Sequence, residues 1–129
     1  MPQLAKWDVI RVLPPGVGHD KFAICICPRR LWFFYINSKK PFGRKASTAA
    51  ISIASYEATF LRQPESFLDV AIVIALTAEI VSVALDDIRR HCGTLPPRIK
   101  LSVIASTKQY DVLEPIYRDA VLEGEITSE

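Results

Sequence analysis

The chain has 129 residues, half of them apolar, and a formal net charge of +2. That length is enough for one domain with a core of its own, and the composition excludes a low-complexity or disordered protein away from the ends. The small net charge hides a split, with a balance of +7 from Met1 to Lys45 and of −5 from Ala46 onward. Such an asymmetry points to a polyanion on the first part, or to pairing of the first part with the second or with a partner. The most apolar run, Val70 to Leu85, is shorter than the roughly 20 residues of a membrane span and carries Glu79, so no membrane association is expected. No uninterrupted apolar stretch of a signal peptide opens the chain, and an odd number of cysteines fits a reducing compartment. The expectation is a soluble cytoplasmic protein.

Trp7 to Leu13 alternates as a first strand does, and Pro14-Pro15-Gly16 stops it. The loop that follows carries His19 and Asp20, and lacks the Gly-Lys-Ser/Thr spacing of a phosphate loop. Lys21 to Cys27 is apolar on both faces and Leu31 to Ile36 is rich in aromatic residues, with Pro28-Arg29-Arg30 as the turn between them. This hairpin reads as the centre of a small sheet. Asn37 to Thr48, NSKKPFGRKAST, is the most basic loop, with Lys39, Lys40, Arg44 and Lys45 around Phe42. Cations that follow phosphates and a ring that stacks on a base are what a single-stranded nucleic-acid groove uses.

Ala49 to Ala54 reads as a strand, Thr59 to Leu61 as a short one, and Val70 to Leu76 as a last apolar one, after a break at Pro64. Short strands at this density within the first 76 residues predict a partly open barrel or a packed curved sheet. Residues 77–129 are then a helical extension packed on it, within a single compact domain.

Thr77 is the expected N-cap of a helix with Val81, Ala84, Leu85, Ile88 and Cys92 on one face, Arg89 to His91 in its last turn and Gly93 ending it. Leu95 to Ser106 is compatible with helix or strand, and Pro97 in a first turn favours helix. A final helix is expected over Asp111 to Leu122, with Asp111 and Glu114 as a capping box and Leu113, Ile116, Tyr117, Ala120 and Val121 on one stripe. Glu123 to Glu129 is expected to be an acidic, frayed tail. Cys25, Cys27, Cys92, His91 and His19 follow no zinc spacing and are better read as packing, so neither a metal nor a cofactor is expected.

A strand, a Pro/Gly loop, the Lys-Phe-Ala-Ile strand, a strand ending Ile-Asn-Ser, a basic loop, then Phe60-Leu61 and Ser66-Phe67-Leu68-Asp69 follow one another in an order that resembles the MazF/PemK-like toxin superfamily. The resemblance covers residues 7–76. It implies an α+β fold, a small SH3-like antiparallel β-barrel with C-terminal helices here, a homodimer, and metal-independent cleavage of single-stranded RNA by the toxin of a toxin–antitoxin pair. The family pairs an arginine at the start of the second strand with a serine or threonine at the end of the third. Lys21 and Ser38 hold those places, and Lys21 keeps the charge without the planar fork of a guanidinium.

His19 is the candidate acid or base beside that pair. Arg29, Arg30, Lys39, Lys40, Phe42, Arg44 and Lys45 are the candidate RNA-binding residues. His19, Asp20, Lys21, Ser38 and Lys39 are expected to meet at one end of the sheet, because the start of one hairpin strand adjoins the end of the next. The alternative is a non-catalytic interaction protein, antitoxin-like or a mobile-element accessory factor, with the barrel as scaffold and the Leu113 to Val121 stripe facing a partner. A nucleic-acid-binding module without chemistry is the third reading.

Overall fold

The computed structural model describes residues 3–125. A meander of β1 (Asp8–Val12), β2 (Lys21–Cys27) and β3 (Trp32–Asn37) lies at its centre, antiparallel throughout. β2 is covered on both faces, as its unbroken apolar sequence requires. Ile24 and Ile26 enter the larger core with Phe34 and Ile36, and Ala23 and Cys25 enter a second core with Ile10 and Phe33. Leu31 closes the β2–β3 turn at φ 57°, a left-handed conformation for a branched residue.

Beyond Asn37 the basic segment is not all loop. Arg44–Ala49 forms a short helix, α1, in which the Ser47 and Thr48 hydroxyls donate back to the Arg44 carbonyl and Ala49 is buried. β4 (Ile51–Ala54) and β5 (Glu65–Leu68) follow, β5 pairing with both β4 and the end of β3. The strand expected over Thr59 to Leu61 does not form. Glu57 Oε1 accepts from the Ala54 N–H at 3.0 Å and Leu61 N–H donates to the Ala58 carbonyl, so the segment coils into successive turns.

The expected strand from Val70 to Leu76 shrinks to β6 (Ile74–Ala75), which pairs with the start of β3. Asp69 Oδ1 accepts from the Ala71 N–H at 2.9 Å, an Asx turn that takes the backbone out of the ladder.

Thr77 caps α2 (Ala78–Asp86) by accepting from the Ile80 N–H. That helix is shorter than expected because Asp87 stops it, its carboxylate accepting from the Arg89 N–H at 2.9 Å. Two acidic residues at a helix C-terminus also oppose the macrodipole. Ile88 is therefore exposed, and His91 and Cys92, expected in the helix, belong to a strand, β7 (His91–Thr94), which pairs with β1. Gly93 sits in it at φ 94°.

α3 (Pro97–Gln109) is helical, as Pro97 in its first turn predicts. α4 (Pro115–Leu122) begins later than expected. Asp111 and Glu114 form no capping box, because the Glu114 carbonyl itself receives the Tyr117 and Arg118 N–H groups and Pro115 has no N–H to offer. Residues 126–129 of the expected acidic tail lie outside the described residues, while Glu125 pairs with Lys100 at 3.3 Å.

The whole is an α+β fold on one curled antiparallel sheet in the order β4-β5-β3-β2-β1-β7, with β6 beside β3. α2 covers one face through Val81 and Ala84. Ile99, Val103, Leu113 and Val121 from α3, α4 and the segment between them cover the other. Among the described residues no helix is long and apolar enough to cross a membrane.

Candidate functional site

At the end of the sheet where β2 begins and β3 finishes, the open cleft has a volume of about 420 Å³. His19, Asp20, Lys21, Ser38 and Lys39 all line it. The hairpin topology brings this about: Val12 pairs with Lys21 and Phe22 with Ile36, so Lys21 and Asn37 start and end neighbouring strands. Its apolar wall is Phe22, Ile36 and Leu61, with the Phe60 ring 5.2 Å from that of Phe22.

Lys21 is held in place. Its Nζ donates to Asn37 Oδ1 at 2.5 Å and lies 5.4 Å from the centroid of the Tyr35 ring. An ammonium carries three protons, so two remain for an anion in the cleft. Burial raises the pKa of Tyr35, which keeps that ring a neutral phenol.

Asp20 is not free to act as a base. Arg90 Nη1 donates to Asp20 Oδ1 at 3.3 Å, and Arg11 Nε lies 3.3 Å from Oδ2 without hydrogen-bonding alignment, a Coulombic contact. The carboxylate that lines the cleft is thus neutralised from β1 and from the turn before β7. Lys39, and Arg62 in the turn before β5, make no ion pair among the described residues. With Lys21 they leave the cleft electropositive. His19 is exposed, and its Nδ1 lies 3.0 Å from the Asp20 carbonyl, so the tautomer that donates there leaves Nε2 to the cleft.

The other expected binding residues do not gather here. Arg29 and Arg30 sit at the opposite end of the hairpin, roughly 20 Å away along a seven-residue strand, and Arg30 packs over Trp32 with 5.0 Å between guanidinium carbon and ring centroid. Lys40 and Phe42 are exposed beyond the cleft, Phe42 fully so, and Arg44 and Lys45 line a separate cavity on α1.

Arg62, Gln63 and Ser66 are cleft residues that the sequence does not reveal. A strand over Thr59 to Leu61 would have carried Arg62 elsewhere; only the pair Gln63-Pro64 signals a turn there. Among the described residues, no three His, Cys, Asp or Glu side chains gather as a metal site. Burial pushes the Cys25 thiol up to about 12, so it is an inert core residue.

No protein-family model, curated protein or solved structure matches the chain.

Proposed function

We propose that the protein is a diverged MazF/PemK-like protein on an SH3-like barrel, and that its cleft binds single-stranded RNA and cuts it without a metal. One observation carries the reading: Lys21, Ser38, Lys39, Arg62 and His19 line one cleft whose only carboxylate among the described residues is already paired. A phosphodiester is the ligand such a site suits, with Phe22, Ile36 and Leu61 offering a base an apolar wall.

In the proposed reaction the ribose 2′-hydroxyl loses its proton to a base and its oxygen bonds to phosphorus. The bond from phosphorus to the 5′-oxygen breaks, that oxygen takes a proton, and the products are a 2′,3′-cyclic phosphate and a 5′-hydroxyl. His19 is the cleft imidazole placed to move these protons. Lys21, Lys39 and Arg62 stabilise the charge that builds on the phosphoryl oxygens, and Ser38 donates a hydrogen bond to one of them. The reading carries with it a cytoplasmic homodimer and a protein antitoxin, for which Leu101 on α3 and Ile116 on α4 are exposed apolar side chains.

The test is to incubate a long single-stranded RNA in chelator with wild type, Lys21→Ala and Ser38→Ala, and to map the new ends. Cuts that disappear in either folded variant support the reading. RNA left whole by the wild type removes the chemistry, and failure to bind RNA at low salt removes the reading altogether. Intact, unbound RNA together with a stable partner held by α3 and α4 would establish the interaction protein instead, which Leu101 and Ile116 favour.

A further inference from the structure

The second cavity, about 260 Å³, opens between α1 and the α3–α4 junction. Arg44 and Lys45 line it from α1, and Gln109, Tyr110 and Asp111 face them from the other side. Neither cation makes an ion pair among the described residues, and nor does Asp111. The backbone leaves the first cleft at Lys39 and enters this one at Arg44, five residues later, so the two lie at most about 18 Å apart. Between them stand Lys40 and the fully exposed ring of Phe42.

We propose that this cavity is a second nucleotide subsite for the same RNA strand, and that Asp111 makes it select a base with an exocyclic amine. The proposal rests on the RNA reading above. The chemistry divides as a nucleotide does: Arg44 and Lys45 suit a phosphate, and Tyr110 gives a ring on which a base stacks. Asp111, ionised, only accepts hydrogen bonds, and the amines of cytosine, adenine and guanine donate them. Uracil offers one ring N–H flanked by two carbonyl oxygens, which repel a carboxylate. Lys40 and Phe42 are then the path of the strand from one subsite to the other, a role that explains a large aromatic side chain left wholly in water.

The experiment is fluorescence anisotropy on the full chain with uncleavable 2′-O-methyl oligonucleotides: a trinucleotide, a cytidine 12-mer and a uridine 12-mer. Wild type is compared with the double variant Arg44→Ala/Lys45→Ala and with Asp111→Asn, all at exposed positions where folding is not at risk. The double variant is expected to weaken the 12-mers several-fold and lower the slope of log affinity against log salt by about 0.7, the share of one phosphate on a single strand, leaving the trinucleotide unchanged. Asp111→Asn is expected to bring the cytidine and uridine 12-mers to equal affinity.

Equal losses for short and long oligonucleotides, or no loss for the long ones, overturn the second subsite. An unchanged preference in Asp111→Asn overturns the selection by Asp111. If wild type binds no oligonucleotide at all, the RNA reading itself has failed, an outcome distinct from either.

Discussion

Lys21 holds a fixed position because one of its protons is committed to Asn37 and its charge lies near the Tyr35 ring. A guanidinium at the same place would bind a phosphate through two parallel hydrogen bonds instead of as a point charge. If the proposed RNA chemistry holds, Lys21→Arg is therefore expected to raise both RNA affinity and the initial cleavage rate, with circular dichroism to verify an unchanged fold. Cys25 gives a prediction that does not depend on RNA. Its thiol is buried and its pKa raised to about 12, while Cys27 and Cys92 are only partly buried. Iodoacetamide on the native protein, followed by peptide mass spectrometry, is expected to label Cys27 ahead of Cys25, and Cys25 only after denaturant is added. Early labelling of Cys25 would mean that the second core opens readily.

The elements differ in how far local sequence determines them. β2 and β3 have the limits expected to within a residue, because apolar runs bounded by Pro28 and by the basic segment leave one arrangement. The cleft was foreseeable for the same reason: hairpin topology alone brings Lys21 and Ser38 to one end. Where a side chain competes for a backbone N–H, periodicity misleads. Asp69 breaks one expected strand and Asp87 ends α2 early, and the residues released after Asp87 become β7, whose pairing partner lies some 80 residues back in β1 and so leaves no local trace.

Gly93 is the point at which β7 depends on a single residue. A Cβ there would meet nothing within 4 Å, so the cost of Gly93→Ala is that of φ 94° alone. Urea unfolding is expected to show a loss of about 1–2 kcal/mol, and no loss would mean that β7 relaxes to an ordinary extended backbone. Removing the Thr77 cap, by contrast, leaves the sheet alone; Thr77→Ala is expected to cost about 1 kcal/mol in the same measurement.

At the scale of the whole molecule, the C-terminal helices belong to the core. Leu113 and Val121 are buried in the main cluster and Tyr117 packs edge-on to Trp32 with centroids 4.7 Å apart, so most of the stripe that the interaction-protein alternative assigns to a partner is already covered. A chain ending at residue 110 is expected to lose its cooperative urea transition; a product that still folds and merely loses association would move those residues to an interface.

Acid should act through the same long-range ties. Glu57 accepts from the Ala54 N–H and pairs with Arg98 on α3, and both interactions hold its carboxyl below its ordinary value of 4.5. A depressed value in the folded state contributes stability at higher pH that disappears as pH falls below about 4.5 and through the folded value. Thermal midpoints are expected to stay level from neutral pH down to about 5 and then drop, with a shallower drop in Glu57→Gln.

The chain has two tryptophans, and both face the C-terminal part. Trp7 is buried with the ammonium groups of Lys6 and Lys100 at 5.3 and 5.9 Å from its ring, and Lys6 in turn donates to the carbonyls of Val121 and Glu123. Trp32 lies against Tyr117. Intrinsic fluorescence is thus an optical gauge of how α3 and α4 seat on the sheet: it will follow their release during unfolding, and it will be dark to a ligand entering the cleft at Lys21, so the proposed RNA binding has to be read from a label on the oligonucleotide.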